Sequence, residues 1–267
     1  MIRSACDEGV TEIIGFVLIM GLVVVVLFGM ALIVPPMNGA AIEGELALGA
    51  VQGVSNLKYD MDLLWESPVM KNVNRSVLIQ LSTPRRGIVS MLPVFTPRIG
   101  SATMSAGVSG VTVRVNDTQY DNQYDNLLRL SYATSNNYAP DSMVVYEAGA
   151  VFAGTRDSRS LVLVPSVGNA SDGSLLMVLP RLAEGGESSV SGNSFGVVEY
   201  RLIDTNVTSY SNPQIMINGT GESTAAAKSL ADLISGTVFD DGTTISYSGT
   251  VRVMTANYSV VMRGAVP

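Results

Sequence analysis

Twenty-two consecutive residues, Ile13 to Val34, carry no charge, amide or hydroxyl: IIGFVLIMGLVVVVLFGMALIV. A helix of that length reaches roughly 33 Å, enough to cross a hydrocarbon layer of about 30 Å. Core helices of soluble domains are usually shorter and carry a polar stripe, so this run is expected to sit in lipid or in something equally dry.

Charge bias sets the expected orientation. Beyond the run the first Lys or Arg is Lys58, whereas Arg3 stands in the short N-terminal flank, which favours an N-terminus inside the cell. The flank lacks a basic n-region and no small-x-small cleavage signal follows the run, so the helix is expected to stay on the mature protein rather than leave as a secretory signal. Six N-x-S/T sequons lie on the far side, at Asn74, Asn116, Asn169, Asn206, Asn218 and Asn257, and mark candidate N-glycosylation sites on an extracellular body.

Composition narrows the chemistry. The 267 residues contain no histidine, which removes the commonest general base and the commonest metal ligand together. Cys6 is the only cysteine and precedes the apolar run, so neither an intramolecular disulfide nor a multi-cysteine zinc site can form. A juxtamembrane thiol can be S-acylated, but Cys6 is read as a bystander. With 16 basic residues scattered mostly singly and a net charge of −7, the chain has no basic face for phosphate, and nucleic acid is rejected as a partner. No enzyme activity, cofactor or metal is expected.

After the run, Pro35 and Pro36 are expected to kink or break the first helix. A second, amphipathic helix is predicted from Asn38 to Trp65, its apolar face marked by Leu46, Ala50, Val54, Leu57, Met61 and Leu64. Gly49 and Gly53 form a small GxxxG patch on it, and Ser67-Pro68 ends it.

From Arg75 the period changes to two. Strands are predicted at Ser76–Ser82, Gly87–Leu92, Gly110–Val115, Leu127–Tyr132, Ser142–Phe152, Ser160–Pro165, Leu175–Leu179, Phe195–Asp204, Thr243–Tyr247 and Thr250–Met262. Turns separate them at Pro84–Gly87, Asp172-Gly173, Gly185-Gly186 and Asp241-Gly242. Ser223–Ser235 breaks the pattern with a short amphipathic helix closed by Gly236. Tyr120–Asn126 and Thr134–Tyr138 read as surface loops. About ten strands point to a sandwich or a pair of packed sheets.

Two motif matches lack the partners their chemistry requires. Gly192-Asn193-Ser194-Phe195-Gly196 has the G-x-S-x-G spacing of a nucleophile elbow, but it precedes a strand and no histidine exists to take the serine proton. Asp240-Asp241-Gly242 lacks the remaining ligands and closing glutamate of a calcium loop and reads as a hairpin turn. Because paired carboxylates meet only in three dimensions, sequence alone leaves a Glu/Asp glycosidase open as part of a third reading, an anchored enzyme.

The junction Asp7-Glu8-Gly9-Val10-Thr11-Glu12-Ile13-Ile14-Gly15 resembles the N-terminal segment of archaeal type IV pilin-like proteins, in which a short polar leader is cut just before a V-S/T-x-x-I-G-hydrophobic run. More loosely, the layout of helix and long β-rich domain, with Val144–Val151 near its middle, resembles a group of large pilin-like surface proteins. The resemblance implies cleavage between Gly9 and Val10, and an acidic Glu12 that neutralises a neighbouring subunit's amine in a dry helix bundle. The bland reading of Glu12 is a helix N-terminal acid facing headgroups and the dipole.

These readings converge on an α+β chain. A leader-like segment (1–9) precedes a transmembrane or pilin-like helix (10–35) kinked at the Pro pair, an amphipathic helix (36–67) and a mostly antiparallel, sandwich-like extracellular β domain (68–267). The expected role is a pilin-like structural subunit of an extracellular filament, a minor one given its large β domain, with a part in adhesion. Its partners would be the membrane and other pilin-like subunits, as a homo- or hetero-oligomer through the N-terminal helix, with close approach at Gly15, Gly21 and Gly29. The alternative is a monomeric membrane-anchored binding module, favoured by acidic Asp7 and Glu8 where the family carries a basic residue.

Overall fold

A computed structural model describes residues 3–67, 70–82, 97, 100–184, 187–192, 195–220, 223–234, 237–238 and 244–265. One helix, α1 (Arg3–Glu66), runs without a break in secondary structure through Pro35 and Pro36. The expected division into two helices at the Pro pair is therefore absent as a break. The prolines remove two intrahelical donors without ending the helix. The face predicted for residues 38–65 is the one that packs: Leu46, Ala50, Val54, Leu57, Met61 and Leu64 are all buried.

The β domain holds sixteen strands among the described residues, in three sheets rather than the expected sandwich of about ten strands. The first sheet orders β1 (Arg75–Gln80), β12 (Phe195–Ser211), β16 (Thr250–Ala265), β10 (Leu175–Glu184) and β9 (Val167–Asn169). Its β10 and β16 pair in parallel, from Leu175 opposite Val251 to Leu182 opposite Tyr258, within otherwise antiparallel pairing. The second sheet orders β11 (Ser188–Gly192), β2 (Ser101–Val108), β5 (Leu128–Ser135), β6 (Met143–Glu147), β7 (Ala150–Gly154) and β8 (Arg159–Leu163). The third orders β14 (Thr237–Val238), β15 (Thr244–Ser246), β13 (Gln214–Gly219), β3 (Val111–Asn116) and β4 (Asp121–Tyr124).

Strand alternation divides the interior into two clusters. Even-numbered Val178, Tyr258 and Val260 join the first, under α1, while odd-numbered Met177, Leu179, Val251 and Val253 join the second. Successive residues of a strand point to opposite faces, so β10 and β16 serve both clusters at once. The short helix predicted at 223–235 is α2 (Thr224–Leu233); it buries Ala226, Ala227, Leu230 and Ala231 in the second cluster beside the third sheet.

Three local expectations are corrected. Ser142–Phe152 is not one strand but the β6–β7 hairpin, turned by Ala148 and Gly149 at φ +50° and +82°; both central residues of such a two-residue turn need positive φ, which alanine rarely signals. Tyr120–Asn126 is not all loop, because Asp121–Tyr124 form β4 and Tyr124 is buried. Thr134 and Ser135 finish β5, and the residues after them meet α1. The strand expected at Gly87–Leu92, the turns at Pro84–Gly87, Gly185-Gly186 and Asp241-Gly242, Asn193-Ser194 and the Gly236 cap lie outside the described residues.

Candidate functional site: an unburied apolar helix held by the β domain

The two parts of α1 differ completely in environment. Its apolar segment is long and apolar enough to cross a membrane, with mean hydropathy 3.2 and none of it buried. Leu18, Phe28 and Leu32 are 69%, 69% and 76% exposed. Exposure around the whole circumference leaves no face assigned to the domain, which is what lipid or neighbouring helices would cover.

Contact with the domain begins at Gly39. A methyl group there would lie 2.2 Å from Tyr138 Cδ2, so only glycine lets the Tyr138 ring rest on the helix backbone. One turn later, the fully buried Glu43 carboxylate accepts four backbone N–H bonds from two loops. Gly100 N (3.0 Å) and Asn137 N (2.8 Å) donate to Oε1; Tyr138 N (2.9 Å) and Ala139 N (2.8 Å) donate to Oε2. Burial by itself would raise the pKa of this carboxyl, but the four amides outweigh it and hold it below the ordinary value of 4.5.

Farther along, Gly53 brings the helix against Ile79 of β1, where an added Cβ would lie 3.1 Å from Ile79 Cγ1. Asp62 then ties three partners: Oδ1 accepts from Ser166 Oγ (2.8 Å) and Trp65 Nε1 (3.1 Å), and Oδ2 from Lys58 Nζ (2.6 Å). Lys58 Nζ also donates to Ser166 Oγ at 3.0 Å. Tyr200 Oη donates to Asp60 (3.0 Å), and Tyr258 Oη to the Met61 carbonyl (2.7 Å). These groups are partly shielded from water, and the bonds from Ser166, Tyr200 and Tyr258 join α1 to strands and loops distant in sequence.

Inside the domain Glu147 plays a comparable part. Ser109 Oγ (2.7 Å) and Ser223 Oγ (2.6 Å) donate to its Oε1, while those hydroxyls accept from Val111 N and Gly110 N. The cluster joins β6, the β2–β3 turn and the start of α2. The Arg129 guanidinium stands 3.9 Å from the same Oε1, so the carboxylate ties a strand, a turn and a helix start together.

The outer face of the second sheet carries a trough of about 710 Å³. Ser189, Ser105 and Ser131 stand in register across β11, β2 and β5, and the Ser105 and Ser131 hydroxyls are 2.7 Å apart. Arg129, Glu187 and Asp141 border this row.

The residues singled out from sequence fall as follows. Gly15, Gly21 and Gly29 face open space, with nothing within 4 Å of an added Cβ, and none touches the domain. Gly9 and Val10 lie in α1, but their side-chain surroundings and those of Cys6 and Glu12 lie outside the described residues. Asn74, Asn169, Asn206 and Asn218 are exposed, and Asn116 and Asn257 half-buried. Of the GxxxG pair, Gly53 makes a close contact and Gly49 none. Among the described residues, no three His, Cys, Asp or Glu side chains gather as a metal site requires.

Sequence reading missed Gly39 and Glu43, although a signal was present. Stepping back by three and then four from Leu46 along the apolar face lands on Glu43 and Gly39, a carboxylate and a glycine at positions that face the core. Tested against family models, curated proteins and solved structures, the chain matches none.

Proposed function

We propose that the chain is a membrane-inserted, pilin-like surface subunit whose apolar helix passes from the bilayer into the helical core of an extracellular filament, with the β domain outside for surface contact. The observation that carries this reading is the division of one helix into a bare apolar part and a part fastened to the domain by Glu43, Asp60 and Asp62. Lipid and neighbouring helices are equally apolar, so packing at small residues such as Gly15, Gly21 and Gly29 would decide the exchange. In this reading the N-terminus lies inside and the six sequons lie outside, where none is buried. The chemistry is structural, not enzymatic, and nucleic acid is not a partner.

A second reading, a monomeric anchored binding module, is favoured by the serine-floored trough on the second sheet. N-terminal sequencing of protein recovered from the cell surface separates the two. A mature start at Val10, in material that sediments as polymer, supports the filament subunit. A start at Met1, with protein found only in membranes, supports the module. Protein that leaves the membrane on alkaline extraction without detergent or polymer contradicts both.

A further inference from the structure

We infer that the loop spanning residues 136–140, led by Tyr138, rests in the lipid headgroup layer; the inference depends on residues 13–34 being the membrane-spanning segment proposed above. The helix supplies the ruler. Gly39 lies five residues beyond Val34, about 7–8 Å along the axis, and the headgroup region extends roughly 5–8 Å beyond the hydrocarbon on each side. Tyr138 rests on Gly39, so the ring is at that depth whenever Val34 marks the hydrocarbon edge.

The loop cannot swing away from this position. Asn137, Tyr138 and Ala139 donate their backbone N–H groups to Glu43, which is part of the same helix and fully buried. These bonds serve a second purpose at a membrane surface: amides already paired lose nothing when water thins around them.

The chemistry of the loop agrees with its depth. Asn136-Asn137-Tyr138-Ala139-Pro140 carries no charge, and the neighbouring Asp141 carboxylate accepts from the Asn136 amide at 2.7 Å. A tyrosine ring with its polar end in headgroups and its body against a helix has the placement that enriches this residue at bilayer interfaces. With no Lys or Arg in the loop, the contact is with headgroups in general rather than with anionic lipid.

The test uses the full chain in phosphatidylcholine vesicles, some of whose lipids carry a nitroxide on the headgroup. Trp65, the single native tryptophan, is 31 residues beyond Val34, roughly 45 Å along the helix axis, and serves as the distant standard. In protein that floats with the vesicles, the emission added by Tyr138→Trp should shift to the blue and lose most of its intensity to the nitroxide, while Trp65 keeps its own. Pro140→Trp, at an exposed position, gives the same readout if the first variant misfolds. Quenching at both positions no greater than at Trp65 overturns the inference. So does quenching that disappears as the protein-to-lipid ratio rises, which would place a neighbouring copy against the loop. Protein that does not float at all overturns the membrane-spanning reading itself, and the loop contact with it.

Discussion

Tyr138 lies across Gly39 with no room for a methyl group, and the backbone amide of the same tyrosine donates to Glu43, one helical turn farther on. A single loop residue thus grips the helix by its ring and by its main chain.

Gly39→Ala should destabilise the protein although alanine favours a helix by about 1 kcal/mol, because overpacking of this kind typically costs about 1–3 kcal/mol. In a Tyr138→Ala background the obstacle is gone, and the same substitution should become neutral or stabilising. Denaturant unfolding of the detergent-solubilised protein checks this; equal effects in both backgrounds would show that ring and helix do not couple.

Glu43→Gln should be nearly as damaging as Glu43→Ala, on the order of 2–4 kcal/mol, because an amide NH₂ turned toward backbone N–H groups leaves donors facing donors. The folded carboxyl has a pKa below 4.5, so the unfolded chain takes up the proton first as pH falls. The stabilisation is therefore complete above about pH 4.5 and is lost as pH drops through the folded value. Urea midpoints across that interval should fall more steeply for the native protein than for Glu43→Gln; parallel curves would assign the acid sensitivity to other carboxylates.

Lys58→Met should cost about 1–3 kcal/mol, since it leaves the partly buried Asp62 without its cation while Ser166 and Trp65 still donate to it. The indole of Trp65 reports the change directly. Its emission should shift and its resistance to acrylamide quenching should fall; an unchanged spectrum with lowered stability would place the effect on Ser166 instead.

Gly15→Leu, Gly21→Leu and Gly29→Leu should leave the folding of an isolated subunit unchanged, because nothing among the described residues lies within 4 Å of a Cβ added there. If the helices pack together in a filament, the same variants should reduce the sedimentable polymer. Wild-type amounts of polymer in all three would remove these glycines from the contact.

What could be read from the sequence was what repeats locally. The helical spacing from Leu46 to Leu64 marked a face that is buried at each predicted position, and alternation located β12 and β16, although both extend beyond their predicted ends. Small residues concealed β2, where Ala102, Met104 and Ala106 alternate inward between serines, a threonine and glycine. The β6–β7 turn was hidden by Ala148 in a conformation usually left to glycine or asparagine. For the contact between helix and domain, only one half was visible. Glu43 stood out of place on an apolar face, but the amides it needed lie 57 and 94–96 residues away, where no local pattern reaches.

The placement of β16 has a consequence for biogenesis. It is the middle strand of its sheet, flanked by β12 and β10, and its Tyr258 hydroxyl reaches back 197 residues to the Met61 carbonyl. β12 can pair with β1 and β10 with β9 beforehand, but the edges of both that face β16 stay open until residues 250–265 have been synthesised. Until that moment the growing chain exposes two raw strand borders, a state open to mispairing with other chains that a holding chaperone or fast completion would shorten.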